Sequence, residues 1–218
     1  MNKQLFIPCS MHGKIVQFII ICLIVSTNTT YAFEVIGKPS KPMQPMEKPE
    51  NHAVGSKVIY QDNRDNKATK HHELLSRDEV GMSKWKQSNG CSYSRTIWFQ
   101  PSQTWDSCGA NGKSSGSQNS KLKGEIWPLT KGKKFSFNVK NGRNSKGDTW
   151  SNYVKCKAKK EVRIKTAAGE FDAYKVVCSG KWSTTTRYMS PETQGSVAYR
   201  KVHKRRGEEG NTEWLRWE

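Results

Sequence analysis

The chain is short of acid. It has 19 Asp and Glu against 37 Lys and Arg, a formal net charge of +18. A field of one sign on this scale excludes a strongly basic partner. It favours polyanions: acidic polysaccharide, teichoic acid, lipopolysaccharide, anionic phospholipid head groups and, less favoured, nucleic acid. A spanning apolar run is missing, because the longest, IVQFIIICLIV at residues 15–25, is about eleven residues against the ~20 a membrane helix needs. No metal-ligand spacing is present: no two of the later cysteines are two to four residues apart, and no histidine sits at a complementary distance. His71-His72-Glu73 are three adjacent residues that cannot all face one ion, and they read as solvated loop. Gly112-Lys113-Ser114 resembles the end of a phosphate loop, but Ser107 stands where that motif needs glycine. A nucleophile elbow, a zinc-protease motif and a convincing amphipathic helix are absent as well.

The apolar run follows Lys3, His12 and Lys14 and leads to Thr30 and Ala32, small residues in a cleavage pattern. Residues 1–32 are therefore expected to be a signal peptide cleaved near Ala32, with a periplasmic or secreted product starting near Phe33 and holding no transmembrane segment. Ile21 before Cys22 argues against lipid attachment. Removal of the leader leaves four cysteines, an even number in an oxidising compartment. Tyr153–Thr166 and Phe171–Ser179 read as a hairpin folded about Ala168. Four cysteines allow three pairings, which sequence alone does not decide; the hairpin brings Cys156 close to Cys178 and so favours that pair, with Cys91 and Cys108 left as the other.

Residues 33–87 are Pro-rich and then polar. GKPSKPMQPMEKP, from Gly37 to Pro49, reads as an extended tether, followed by largely disordered linker with a possible short strand at Lys57–Gln61 and a helical turn around Glu73–Val80. Residues 88–218 read as one disulfide-stabilised β domain, mainly antiparallel: a curved sheet, partial barrel or small sandwich of about seven to nine strands. Phe135, Phe137 and Val139 alternate with polar residues, and Asn141-Gly142 signals a turn. Further strands are expected at Trp182–Met189, Gly195–Lys204 and Thr212–Trp217, with Arg205–Gly210 a charged loop. Asp106–Ser120 is expected to be a flexible loop held at its base by the Cys91–Cys108 bridge.

Three segments, EIWPLTKGKKFSF, AAGEFDAYKVVCSG and RYMSPETQGSVAYRKV, resemble the TapB-like group of exported bacterial β domains across about residues 121–204. The resemblance rests on Pro128, Leu129 and Gly132, on Gly169, Phe171, Asp172, Ala173, Tyr174 and Lys175, and on Tyr188, Ser190, Pro191, Glu192 and Gly195. It implies a curved antiparallel sheet or partial barrel, and it brings no catalytic residue and no ligand.

Two basic features are candidate binding sites. On an unbroken strand Lys155, Lys157, Lys159, Arg163 and Lys165 would form one outward row at ~7 Å repeats, fit to track a polyanion. Arg200, Lys201, Lys204, Arg205 and Arg206 form a denser cluster that ends at Glu208-Glu209, which would partly neutralise it. The eight tryptophans are mostly core candidates, with Trp214 and Trp217 on opposite parities and one ring expected outside. The functional expectation is a non-catalytic exported domain, without cofactor or metal, that binds an anionic envelope component or a protein partner. The alternatives are a small secreted hydrolase of phosphodiesters or glycans, using Glu161 or Glu170 with His203, and a structural or pilus-assembly accessory.

Overall fold

A computed structural model describes residues 33–49, 52–64, 67–79, 82–95, 99, 102–108 and 112–218. The expected signal peptide and cleavage point, Cys9, Cys22, Val80 and Trp98 lie outside the described residues. The described residues are all β: β1 (Glu34–Gly37), β2 (Lys57–Asp62), β3 (Ala68–Arg77), β4 (Ser83–Gln87), β5 (Ser92–Arg95), β6 (Gln103–Cys108), β7 (Ser114–Lys123), β8 (Lys134–Asn144), β9 (Thr149–Thr166), β10 (Gly169–Ser179), β11 (Ser183–Ser190), β12 (Gly195–His203) and β13 (Gly207–Trp217). From β2 to β13 each strand pairs antiparallel with the next, and β13 pairs back onto β2. The result is a closed 12-strand barrel, with β1 added on the edge of β9.

This corrects the expected partial barrel or sandwich of seven to nine strands. Residues 57–87, read as linker, supply β2 to β4. His71, His72 and Glu73 lie in the middle of β3, not in a loop or a helical turn. Most of the expected loop at Asp106–Ser120 is the end of β6 and the start of β7. The Pro-rich segment is docked rather than a free tether. Met46 exchanges backbone hydrogen bonds with Leu129 (3.0 and 2.7 Å) and is 1% exposed, while the Tyr174 hydroxyl donates to the Gln44 carbonyl at 2.8 Å. Proline holds such a segment extended without needing ladder donors, so its methionine can be pressed into the core.

Bulges decide which side chains face which way. Between Lys175 and Val176 the β9–β10 register slips, so Ala158 opposes Val176 while Glu161 opposes Tyr174. The extra residue, at Lys159-Lys160, reverses the alternation of β9. Val154, Cys156 and Ala158 therefore share a face with Tyr174, Val176 and Cys178, whereas Val162 and Ile164 share the other face with Ala173 and Phe171. Two cores result. One holds Phe135, Phe137, Val154, Cys156, Tyr174 and Met189, and the other holds Val162, Ile164, Phe171, Tyr188 and Val197.

Asn141-Gly142 does not end its strand either. Asn141 takes a φ of 52° in a bulge and β8 continues to Asn144. Gly142 is required there for space, because a Cβ would lie 2.1 Å from the Trp150 ring. Both cysteine pairs are at bonding distance, Cys156–Cys178 as direct cross-strand partners and Cys91–Cys108 tying the entrance of β5 to the end of β6.

Candidate functional site

The outer wall of β7 to β10 carries lysine in register. Lys123 opposes Ser136, which opposes Lys155. One step along, Lys134 directly opposes Lys157. With Lys159 these residues rim a groove of about 540 Å³, which Ser136, Val177 and Ser179 also line. Like charges directly opposite on paired strands repel. Among the described residues none of these five lysines has a carboxylate partner, and Lys155 lies 5.8 Å from the centre of the half-exposed Tyr153 ring. Serine and lysine occupy outward positions that a lipid-facing barrel strand fills with apolar side chains.

The expected five-membered row does not exist as one face. The bulge at Lys159-Lys160 sends Arg163 and Lys165 to the side opposite Lys155 and Lys157. There Arg163 pairs with Glu170 (3.0 Å) and approaches Asp172 (3.9 Å).

The second basic cluster is largely answered by its own turn. Arg200 pairs with Glu208 (2.5 Å), Lys201 with Glu209 (2.9 Å), Arg206 with Glu209 (2.6 Å), and Lys204 donates to the Gly180 carbonyl (2.7 Å). Burial would raise the Glu209 carboxyl, but hydrogen bonds and charge from Lys201 and Arg206 outweigh it and hold it below its ordinary range. His203 Nδ1 accepts the Arg205 and Arg206 amides at 3.1 and 3.2 Å, so the ring builds the turn. Glu170 starts β10, whereas His203 pairs with Ser183 beyond the far end of β10. About ten residues at ~3.3 Å each separate them, so they do not form one acid–base pair.

A second concavity, about 330 Å³, opens inside the barrel. The register places Arg187, Tyr199, Thr212 and Tyr60 on one continuous face of neighbouring strands. Arg187 on β11 and Arg95 on β5, strands half-way round the ring from each other, are close enough for their charges to repel. Burial pulls the enclosed Arg187 guanidinium below its ordinary pKa, and the Tyr199 ring, 4.5 Å away, favours the cation. Among the described residues Arg187 has no carboxylate partner. The Asp62 carboxylate, near Tyr60, is engaged by Arg64 and Lys70 (3.0 Å each).

His72 lies between two phenols in the same wall. Its Nε2 is hydrogen-bonded to the Tyr60 hydroxyl, and its Nδ1 lies 2.6 Å from the Tyr93 hydroxyl. Burial, with the charge of Arg95, pushes the imidazole down to about 3, so the ring is neutral at pH 7 and has a single N–H. Burial also raises both tyrosines, which stay protonated. One phenol must therefore donate to the bare ring nitrogen while the other accepts the ring N–H. That second phenol keeps its own hydrogen free to donate elsewhere.

The sequence reading missed this pocket entirely. The register slip between Trp214 and Arg216 puts Leu215 out of step, so Trp214 and Trp217 line the same pocket instead of facing opposite ways. The available signal was the shared parity of Arg187 and Met189 in β11, which places a guanidinium on the dry side of a strand. Among the described residues no group of three His, Cys, Asp or Glu could hold a metal ion. Comparison with known proteins finds no matching family model, no similar curated protein and no similar solved structure.

Proposed function

We propose that the protein is an exported, non-catalytic β-barrel that binds an acidic polymer of the cell envelope through the outer groove of β7 to β10. The reading is carried by the cross-strand Lys134–Lys157 pair, flanked by Lys123, Lys155 and Lys159 without compensating carboxylates among the described residues. Five ammonium groups on adjacent strands ~4.8 Å apart match a chain of repeating anions, and Tyr153 beside them offers a flat face to a sugar ring. The two disulfides fit an exported protein. The Arg200–Arg206 cluster is the weaker candidate because Glu208 and Glu209 already occupy it.

The test is retention on heparin across a salt gradient, compared with a cation exchanger of equal charge density. The wild-type protein is expected to elute from heparin well after the matched exchanger position. A Lys123→Glu, Lys155→Glu, Lys157→Glu variant should lose that lag, with the salt slope falling by about 0.7–0.9 per lysine removed. Retention that survives this variant but disappears in Arg205→Glu, Arg206→Glu would overturn the assignment.

A further inference from the structure

The inner pocket has a chemistry that the outer groove does not share. Three hydrogen-bond donors in its walls, Arg187 Nε, Trp214 Nε1 and Trp217 Nε1, are buried and have no acceptor among the described residues. Buried donors in folded proteins are nearly always paired, so three orphans around one cavity point to an acceptor that comes from outside the chain. The charge argues the same way. Two guanidiniums face a common space, and among the described residues no carboxylate reaches Arg187. Flat aromatic faces come from Tyr60, Tyr199 and the two indoles, with Val58, Ser196 and Thr212 between them.

We infer that the barrel interior is a binding site for a small planar organic carboxylate, whose charged end seats on Arg187 and whose apolar body lies between Tyr199, Trp214 and Trp217. The volume sets the size class. About 330 Å³ falls at the lower end of small-molecule pockets and is too small for a polymer. The guanidinium fork matches a carboxylate in two parallel hydrogen bonds, and indole N–H groups can only donate, so the site selects acceptors. Trp214 stands where β12 and β13 part beyond the Ala198–Glu213 pair, and its ring meets Phe171 at 5.8 Å, so the second core braces one wall.

This inference stands apart from the outer groove, and its test keeps them separate. The mature oxidised protein is titrated with 2-naphthoate and with its neutral analogue 2-naphthamide, read by calorimetry and by the indole N–H resonances in 1H–15N spectra. Naphthoate should bind at least tenfold more tightly than the amide and should move the Trp214 and Trp217 resonances, assigned with Trp→Phe variants. Arg187→Met should erase the preference, and Arg187→Lys, which keeps charge but loses the fork, should retain only part of it. The outer Lys123→Glu, Lys155→Glu, Lys157→Glu variant should bind naphthoate as the wild type does. Equal affinity for acid and amide, a preference that persists in a folded Arg187→Met, or no naphthoate binding at 5 mM would each overturn the inference.

Discussion

The two walls of this barrel carry positive charge under opposite conditions. Outside, on β8 and β9, Lys134 and Lys157 oppose each other in water, and high dielectric and salt absorb most of their repulsion. Inside, Arg187 is enclosed beside Arg95 with an aromatic face as its main support. The first arrangement is nearly free of cost and can be had by chance on any lysine-rich surface. The second removes a cation from water, where the penalty is several kcal/mol per ion even after relaxation. The inner charge is therefore the more informative of the two, although it is a single residue.

The largest effect that would sharpen this contrast comes from the two sides of β9. Replacing Cys156 and Cys178 together by Ala removes a bridge from the inner side and should lower unfolding free energy by about 3 kcal/mol in urea titrations. Lys155→Ser on the outer side of the same strand should stay within about 0.5 kcal/mol.

Next in size is a pH effect. Folded His72 titrates near 3, well below its ordinary value, so between about pH 6.5 and 3 the unfolded chain binds a proton that the folded chain refuses. Stability from this group is thus complete well above pH 6.5 and falls as pH falls, by about 1.6 kcal/mol between pH 6.5 and 5. His72→Phe should lack that component, and wild-type and variant curves of stability against pH that run parallel would break the assignment of a neutral, enclosed imidazole. The smallest effect belongs to the outer wall. Lys157→Glu relieves the cross-strand repulsion with Lys134 and should raise thermal stability by only a few tenths of a kcal/mol, even as heparin retention drops.

How much was legible in the sequence follows the same division. Strands β8 to β12 alternate apolar with polar side chains, so Phe135, Phe137, Val176 and Cys178 announced a dry face, and the Cys156–Cys178 partnership followed from folding the hairpin about Ala168. Strands β3 to β7 gave no such contrast. Their inward positions hold His72, Trp85, Tyr93, Trp105, Gly116 and Gln118, and the outward ones are also polar, so period two carries no hydropathy signal. Single inserted residues defeated the rest. A bulge leaves composition untouched while reversing every later side chain. That is why Arg163 and Lys165 left the basic row and why Trp214 and Trp217 came to share a pocket.

The seam that completes the barrel joins β2 to β13, and Lys57 and Glu218 exchange backbone hydrogen bonds at 2.7 and 2.8 Å. Every other contact in the ring links strands that follow one another in the chain, so hairpins can zip progressively from either end as soon as they form. The last pairing cannot. It must wait until β13 exists, and it closes a loop of nearly the whole domain, the slowest kind of contact to make. Until then β2 presents an unpaired edge, which is the site where a folding intermediate would recruit a neighbour's strand. The β2 edge thus stays open for longer than any other in the ring, and the arrival of β13 closes it.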